Sequence, residues 1–393
     1  MRLIPKKYNV GGVRLEQPFK AVRLGHLGLW EENLPEKLKI LVDVLGMRHT
    51  DVLKKSNADI LGHFTTCNTD HHTLVILNPN SGDPERKKLY EAGVILNQIS
   101  FQVNSLKEVN DAHAFFLEND IRISRIGRDL PGSNWAVYAF DPDGHRVELF
   151  YGMEQIGWSG NSKPEAMYER LPYVTFTLPQ KAEAQEVQQA KERNIDLCSG
   201  FSCHSSQPHV YDVGGVLLQQ PFKVSKVGPV RIFVADMEKS EHFYIKIIGL
   251  KKTEEVEYRG HKCVYLSTGQ EHHCVALIPI ALRNMLGFKE NTTLLSIGLQ
   301  VQTYEQLRQA GSFLIEKGLR PVHVPQELQP GIQYALHFAL DEVNLLQIYF
   351  EMDGFHKKQS ENPYAFLPFE QWPDCIEAGE ESYTTQTRLG PMG

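Results

Sequence analysis

The amino-acid sequence predicts an α+β protein made of four β-α-β-β-β modules that are grouped into two domains. Three observations support this prediction: a length of 393 residues, an internal duplication, and one order of strand and helix patterns that returns four times. A chain of this length exceeds the size at which a single hydrophobic core usually stops growing. Similarity at a fixed period indicates repeated structural units.

The duplication is clearest near the start of each half. Residues 8–20 read YNVGGVRLEQPFK and residues 211–223 read YDVGGVLLQQPFK, a separation of 203 positions. We therefore expect four parts along the chain: a first two-module domain at 1–155, a connecting segment at 156–220, a second two-module domain at 221–355 and a C-terminal tail at 356–393.

The first half contains two modules in succession. A strand pattern at 21–30 precedes a helix at 34–45, where apolar residues recur at helical spacing and a Pro stands near the start. Extended runs at 48–54, 58–66 and 72–78 complete the first module. The second module repeats this order, with a helix at 106–119 and strands at 97–103, 121–126, 135–141 and 146–152.

The second half repeats the pair of modules less distinctly. Its modules are expected at about 226–279 and 295–353, with helices near 238–248 and 304–317. The connecting segment is predicted to contain one helix, at 181–193. A connection of this length between compact domains is usually functional or packed against them.

The hairpin that ends the first half carries the first functional signal. The tetrapeptide Asp-Pro-Asp-Gly at 141–144 predicts its turn, since Pro fixes φ and Gly accepts positive φ. On the strand that follows, Glu148 points to the opposite side from Val147 and Leu149. A carboxylate among apolar neighbours needs a partner, although a single Glu on a strand is more often exposed to water.

Composition restricts the classes of partner. The formal net charge of −7 disfavours nucleic acid, because phosphate binding needs a basic surface. No stretch resembles a signal peptide or a membrane span. The six cysteines form no Cys-x-x-Cys pair, a usage typical of a reducing compartment. We expect a cytoplasmic protein without nucleic-acid or membrane partners, and a homo-oligomer because sheet edges commonly pair symmetrically.

Several polar residues of the first half occupy matching positions in its two modules. His26 and Gln98 lie on the first strands of the two modules, and Glu148 lies on the last strand. Two modules facing each other would bring the three together. An imidazole, an amide oxygen and a carboxylate can hold a first-row divalent metal and leave positions open for substrate. A lone His on a strand is more often structural, so the coincidence of positions carries the hypothesis.

The second half provides an internal comparison for these residues. At the corresponding positions it has Pro229 for His26, Ser296 for Gln98 and Gln347 for Glu148. His337 corresponds to Tyr138, which lies on the strand before Glu148. The whole set is lost together, which favours a shared function over four separate structural roles.

At these residues the chain resembles the vicinal oxygen chelate superfamily, and within it the two-domain type I extradiol ring-cleaving dioxygenases. The resemblance is most specific over residues 138–151, YAFDPDGHRVELFY, and is moderate at Gly25-His26 and at the start of the predicted strand 72–78. It implies that each domain is an open barrel of the glyoxalase/bleomycin-resistance/extradiol dioxygenase type.

The resemblance also implies a site and a reaction. His26 and Glu148 match metal ligands, His72 matches an acid/base residue, and Tyr138 matches a residue that hydrogen-bonds the substrate. The implied cofactor is Fe(II), with Mn(II) or Zn(II) as alternatives. The implied reaction is cleavage of a catechol-like aromatic ring by O2.

Two departures from the family pattern leave alternatives open. Gln98 stands where these dioxygenases have a second His ligand, and the ligand set lies in the first half instead of the second. A glyoxalase-type lyase or isomerase is one alternative, although its second carboxylate is missing near Leu74. A metal-free ligand-binding protein of the same fold is the other.

Overall fold

The computed structural model describes residues 7–55, 59–81, 84–157, 160–169, 175–205, 207–355 and 367–376. Most of the tail expected at 356–393 lies outside these residues. The strands of the first half are β1 Tyr8–Val10, β2 Val13–Leu15, β3 Arg23–Trp30, β4 Arg48–Lys54, β5 Ile60–Thr66, β6 Leu74–Leu77, β7 Leu96–Gln102, β8 Ile123–Arg128, β9 Trp135–Phe140 and β10 Arg146–Tyr151. Its helices are α1 Leu34–Lys39, α2 Pro84–Glu91 and α3 Leu106–Glu118.

The connecting segment contributes one helix, α4 Glu183–Glu192, and a short 3-10 turn, Glu165–Met167. The strands of the second half are β11 Tyr211–Val213, β12 Val216–Leu218, β13 Lys226–Val234, β14 Lys251–Tyr258, β15 His261–Ser267, β16 Val275–Pro279, β17 Leu294–Gln300, β18 Arg320–Pro321, β19 Ala335–Ala339 and β20 Leu345–Tyr349. Its helices are α5 Met237–Glu241, α6 Ala281–Met285 and α7 Tyr304–Glu316, with 3-10 turns at Gln326–Leu328 and, after the second half, at Phe369–Gln371.

Each half forms one curled eight-stranded sheet, and the two sheets share one topology. The strand orders are β4-β5-β6-β3-β7-β10-β9-β8 and β14-β15-β16-β13-β17-β20-β19-β18. Within a half, the two modules join edge to edge through their first strands, which pair antiparallel. The predicted α+β fold of four modules in two half-barrels is confirmed, but the modules meet along an edge where we expected them to face each other.

The long helices α3 and α7 each cover one face of a sheet, and in the first half the other face carries polar residues. In the first half, α3 buries Val109, Ala112 and Phe116 in the same core as alternate residues of β7 and β10. The residues between those core positions, among them Ser100 and Glu148, point to the opposite face, because side chains alternate along a strand. This alternation places the polar side chains of several strands on one concave surface.

Most predicted elements occur within two residues of their expected bounds, and the differences have local causes. The helix predicted at 34–45 continues from α1 as a π-helical stretch, Ile40–Val44, and α5 continues in the same way as His242–Ile247. Apolar spacing does not distinguish these two helix types. The helix α2 was not predicted because it buries no residue and so lacks an apolar stripe.

Two features of composition can be compared with the structure. The six cysteines are all free. Among the described residues, no helix has both the length and the apolar character that a lipid bilayer crossing requires.

A buried polar network joins the two halves. The Asp141 carboxylate accepts hydrogen bonds from His145 Nδ1 at 2.9 Å and from the Tyr244 hydroxyl at 2.9 Å. His145 Nε2 lies 2.8 Å from the hydroxyl of Thr293. Burial lowers the pKa of His145, but Asp141 and the nearby Asp143 raise it by more, so the net pKa lies above the ordinary value. The junction therefore favours the protonated form of His145, which pairs with the buried Asp141 carboxylate.

This pairing predicts a pH dependence of stability. The pKa of His145 is raised in the folded protein. The contribution of His145 to the free energy of unfolding is therefore fully present below its pKa in the unfolded chain, about 6.5, and is lost as pH rises through its pKa in the folded protein. We expect the stability advantage of the natural protein over His145→Gln, measured by urea unfolding, to shrink as pH rises from 6 to 9.

The control is His113→Gln on α3. Burial lowers the pKa of His113, so the contribution of His113 to the free energy of unfolding changes with pH in the opposite direction to that of His145. A difference between the natural protein and His145→Gln that stays constant with pH would contradict the proposed ion pair.

Candidate functional site

The carboxylate of Glu148 is the centre of the polar surface in the first half. Glu148 Oε2 lies 2.8 Å from His26 Nε2 and accepts hydrogen bonds from the Ser100 hydroxyl at 2.5 Å and from Gln98 Nε2 at 3.3 Å. Glu148 Oε1 accepts a hydrogen bond from Asn134 Nδ2 at 2.8 Å. His26 and Glu148 are both fully buried. Both carboxylate oxygens therefore have partners.

Strand register brings these residues together. Ser100 on β7 is the partner of Glu148 on the parallel strand β10 and of His26 on the antiparallel strand β3. Gln98 precedes Ser100 by two residues and shares its face. The sequence hypothesis that His26, Gln98 and Glu148 lie together therefore agrees with their positions in the structure.

Sequence reasoning missed two of the partners of Glu148. Ser100 could have been found, because it stands two residues from Gln98 on a predicted strand. Asn134 lies in the loop before β9, and strand periodicity gives no information about a loop residue.

The electrostatics of the site favour an ionised carboxylate. Burial raises the pKa of Glu148, but His26 and the hydrogen bonds from neighbouring side chains outweigh burial, so the pKa lies below its ordinary value. Four polar groups converge on it, as the burial of a charge requires. Glu148 is therefore ionised at neutral pH.

A second group of polar residues lies beside this carboxylate. The rings of His26 and His72 are 4.4 Å apart, and His72 Nδ1 lies 3.0 Å from His71 Nδ1. His71 Nε2 in turn lies 3.5 Å from an oxygen of Asp51 on β4. Burial, with His26 and His71, holds the pKa of His72 well below its usual value. His72 is therefore a neutral imidazole at neutral pH.

Asp51, His71 and His72 form a series of hydrogen bonds, here called the acid-His-His chain. These hydrogen bonds determine the tautomers of the two imidazoles. His71 donates from Nε2 to Asp51, so its Nδ1 accepts the proton of His72 Nδ1. His72 Nε2 is then left as an acceptor. Gly132 packs directly against the pair: a Cβ added there would lie 3.1 Å from atoms of both imidazoles.

Tyr138 lies beside the carboxylate on the neighbouring strand. It is the antiparallel partner of Glu148, and its hydroxyl donates a hydrogen bond to Asp129 Oδ2 at 2.5 Å. The guanidinium groups of Arg125 and Arg146 lie 4.5 and 5.2 Å from the centre of its ring. Burial, with the charges of Asp129 and Glu148, raises its pKa well above the ordinary value. The hydroxyl therefore remains protonated and can donate.

The connecting segment covers this half of the molecule. Ser162 donates a hydrogen bond to Asp51 Oδ2 at 3.1 Å, and the ring of Phe201 packs against His49 at 4.7 Å. Helix α4 is held to the first half by a buried ion pair between Glu186 and Arg128. The segment thus reaches the Asp51 end of the acid-His-His chain.

The donor set is compatible with a divalent metal. Ligand atoms that share an ion at about 2.1 Å lie about 3 Å apart when they are at right angles. His26 Nε2 and the Gln98 amide lie 2.8 and 3.3 Å from the same oxygen of Glu148. Amide oxygen and nitrogen are assigned from hydrogen bonds, so Gln98 can turn its oxygen to a cation. Ser100 and Asn134 would then orient the ligating carboxylate.

The set departs from common metal centres in two respects. Among the described residues, no three His, Cys, Asp or Glu side chains converge as metal ligands, so Gln98 has to be the third ligand beside His26 and Glu148. His26 Nδ1 is buried without a partner, where a ligating His usually donates to a carbonyl or a carboxylate.

The second half keeps the acid-His-His chain and lacks the carboxylate site. His272 Nε2 lies 2.8 Å from Glu254, and the Nδ1 atoms of His272 and His273 are 3.0 Å apart. Strand register places Ser296 and Gln347 at the positions of Gln98 and Glu148. The two halves therefore differ in the residues that would hold a cation.

The fold and this arrangement agree with the comparisons to known proteins. The family described as Glyoxalase/Bleomycin resistance protein/Dioxygenase superfamily matches residues 23–149 and 226–339, and the chain belongs to this superfamily. No curated protein matches the chain.

Solved structures of the same fold cover most of the chain. The 2,3-dioxygenase LapB from Pseudomonas sp. KL28 is 14% identical, with 85% of this chain and 94% of that chain covered and a TM-score of 0.55. The Mn(II)-bound glyoxalase from Novosphingobium aromaticivorans is 10% identical, with 95% and 98% covered and a TM-score of 0.55. Homoprotocatechuate 2,3-dioxygenase from Arthrobacter globiformis is 16% identical, with 86% and 82% covered and a TM-score of 0.53. At these identities the likeness shows the fold.

The packing of Gly132 against the imidazoles gives a testable prediction. Gly132 has φ of +94°, so Gly132→Ala combines backbone strain with a close contact to His71 and His72. Gly318 has φ of +87° and nothing within 4 Å of an added Cβ, so Gly318→Ala isolates the strain. We expect Gly318→Ala to cost about 1 kcal/mol in urea unfolding and Gly132→Ala to cost more.

The histidine NMR signals should separate the two variants further. We expect Gly132→Ala to shift the signals of His71 and His72, and Gly318→Ala to leave them in place. Equal free energies of unfolding for the two variants and unchanged histidine signals would show that Gly132 does not pack against the two imidazoles.

Proposed function

We propose that the first half is the active site of a metal-dependent ring-cleaving dioxygenase of the extradiol type, which acts with O2 on a catechol-like aromatic substrate in the catabolism of aromatic compounds. The observation that carries the proposal is the convergence of His26 and Gln98 on one oxygen of a buried, ionised Glu148, in this half and not in the second. The superfamily and the dioxygenases among the similar structures support it.

The residues that would hold the metal are His26, Gln98 and Glu148. We favour Fe(II), with Mn(II) or Zn(II) as alternatives, since an open site of imidazole and carboxylate ligands suits iron-dependent oxygenases. Such an ion supplies open positions for two vicinal oxygens and the electron transfer that O2 chemistry needs. Glu148 is the single anionic ligand of the set, so the loaded site keeps a positive charge and attracts a deprotonated substrate.

His72 is suited to act as the base. It is neutral at neutral pH, and the acid-His-His chain leaves its Nε2 as a hydrogen-bond acceptor. Its ring packs against that of the ligand candidate His26, so it borders the place where substrate oxygens would bind. In this proposal His72 Nε2 takes a proton from a substrate hydroxyl and later returns it.

Tyr138 is proposed to orient the substrate. Its hydroxyl stays protonated and is held by Asp129 at 2.5 Å, while two guanidinium groups lie against its ring. Turning this donor from Asp129 towards the substrate would stabilise a negative oxygen. The neighbouring arginines add positive charge to the same region.

A glyoxalase-type lyase or isomerase is the second candidate. Gln98 favours it, because an amide ligand is a weaker donor than imidazole and suits Lewis-acid chemistry, and a glyoxalase is among the similar structures. Strand register gives Val75 as the counterpart of Glu148 in the first module, so the second carboxylate of that branch is absent. This absence makes the dioxygenase the better supported candidate.

Metal content and oxygen uptake distinguish the candidates. We expect purified protein to contain about one iron per chain and to consume O2 with a member of a catechol panel. Glu148→Gln should lose most of the metal and lower activity by at least about 100-fold, because it removes the charged ligand. Zinc or nickel without oxygen uptake would favour the isomerase, and absence of metal would favour a binding protein.

The control for Glu148→Gln is Glu271→Gln. Glu271 is a buried carboxylate of the second half that pairs with Lys226. We expect this variant to lose some stability and to keep its metal. Full metal content in Glu148→Gln would make the site assignment wrong, whichever reaction the protein catalyses.

The acid-His-His chain predicts a different effect for Asp51. Asn at this position can donate to His71 Nε2, so that His71 carries its proton on Nδ1 instead. His72 Nδ1 then has to accept that proton, and His72 Nε2 is no longer a free acceptor. We expect Asp51→Asn to lower kcat by about 10- to 100-fold with metal content and KM little changed.

Glu254→Gln in the second half is the matched control, since Glu254 makes the same contact to His272. We expect this variant to keep its kcat. Equal effects of Asp51→Asn and Glu254→Gln on kcat would show that the chain has only a structural role.

A further inference from the structure

The second half buries an arginine that has no carboxylate partner among the described residues. Arg231 on β13 is fully buried, and its Nη1 lies 3.4 Å from His337 Nε2. Its Nε and Nη2 atoms have no hydrogen-bond partner. Burial lowers its pKa to about 10, which still leaves it protonated at neutral pH. A buried cation with two unused donor atoms is costly unless something pairs with it.

Other unpaired polar atoms surround this guanidinium. Tyr265, Ser296, His273 and Gln347 are fully buried, and each has one side-chain polar atom without a partner. With Arg231 they account for six of the twelve such atoms in the described part of the chain. Buried polar groups are normally satisfied, so these six atoms are the ones with which a bound group would pair.

Strand register shows that these side chains share the concave face of the second sheet. Tyr265, Ala276, Arg231 and Ser296 form one row across four neighbouring strands, from β15 to β17. Gln347 on β20 is the antiparallel partner of His337, the residue that contacts Arg231. Tyr265 and Ala276 also belong to an apolar cluster that includes Phe233, the residue two positions after Arg231 on β13.

The cluster occupies the place that the carboxylate site has in the first half. In the strand register, Arg231 lies opposite Ser296, and in the first half Gly28 lies opposite Gln98. In the first half, a Cβ at Gly28 would lie 2.9 Å from Gln98 Cγ, so a side chain there is excluded. The smaller Ser296 removes this obstacle and admits the arginine. One half therefore has a carboxylate where the other has a guanidinium.

Within the part of the chain that the structure describes, no carboxylate forms an ion pair with this guanidinium. Position 347, which corresponds to the carboxylate position 148 and pairs with His337 beside Arg231, is occupied by the neutral Gln. The neighbouring His337 and His273 are neutral, since burial and Arg231 both lower their pKa values. The face thus presents a fixed positive charge without a counterion.

We propose that the concave face of the second half binds a small carboxylate that carries a hydroxyl group. Arg231 Nε and Nη2 supply the paired donors that match a carboxylate, and the hydroxyls of Tyr265 and Ser296 add two more. His272 fixes His273 with Nε2 as an acceptor, and Gln347 Oε1 is a second acceptor, so a ligand hydroxyl has partners. This ligand is distinct from a substrate of the first half.

A cavity lies beside this face. Its volume is about 360 Å³, and its wall includes His337 and Gln329. His337 contacts Arg231, and Gln329 accepts a hydrogen bond from Gln347 Nε2 at 3.2 Å. Two of the polar side chains that join the cluster therefore also line a space large enough for a small organic molecule.

Salicylate is the probe, because it has a carboxylate next to a hydroxyl. We expect calorimetric titration of the full-length protein to show binding that weakens at least tenfold in Arg231→Met. Gln347→Glu should weaken it equally, because an internal carboxylate takes the place of the ligand. The titration is made after a chelator has removed metal, because salicylate would also bind a metal in the first half; under this condition Glu148→Gln should bind salicylate as the natural protein does.

Arg128→Met is the matched control, since Arg128 is a buried arginine with a carboxylate partner, Glu186. This variant should melt at a lower temperature and keep its affinity for salicylate. Arg231→Met and Gln347→Glu should melt no lower than the natural protein, because each removes an unpaired buried charge or neutralises it. Equal salicylate affinity in the natural protein and Arg231→Met, no binding at millimolar salicylate, or lower melting temperatures in both variants would overturn the proposal.

Discussion

The burial of the Glu148 carboxylate is the constraint on which the first half depends. A fully buried anion needs hydrogen-bond donors on both oxygens, and here they come from β3, from β7 and from the loop before β9. The two modules meet along β3 and β7, so the contacts of Glu148 also join the modules. Stability and site geometry therefore rest on the same atoms. Any change of this residue acts on both.

The second half shows how few residues decide the character of a site on this scaffold. Both sheets have the same strand order, and helices pack on the same face of each. On the opposite face, Arg231 and Gln347 reverse the charge that Glu148 gives to the first half. Fold and site chemistry are separable here, since one topology supports a buried carboxylate in one half and a buried guanidinium in the other.

The sequence predicted those features that depend on local pattern. The duplication and the periodicity gave the module order, and alternation along strands placed Glu148 on the face away from the apolar core. The convergence of His26 with Gln98 followed from their equal positions in two modules. The edge-to-edge contact of the modules and the hydrogen bond from Asn134 depend on tertiary structure, which local pattern does not contain. The sequence does not predict that Arg231 is buried, because arginine side chains are usually exposed.

The acid-His-His chain occurs in both halves and therefore belongs to the scaffold. In each half it links a strand-borne acid to two consecutive histidines. A glycine of positive φ packs against both imidazoles in the first half, Gly132, and against the first of the two in the second half, Gly331 against His272. What differs is the group that the second histidine faces. His72 lies against His26 of the carboxylate site, whereas His273 lies near a guanidinium. A shared structural device thus presents an acceptor nitrogen to two different partners, and the chemistry of each half follows from the partner.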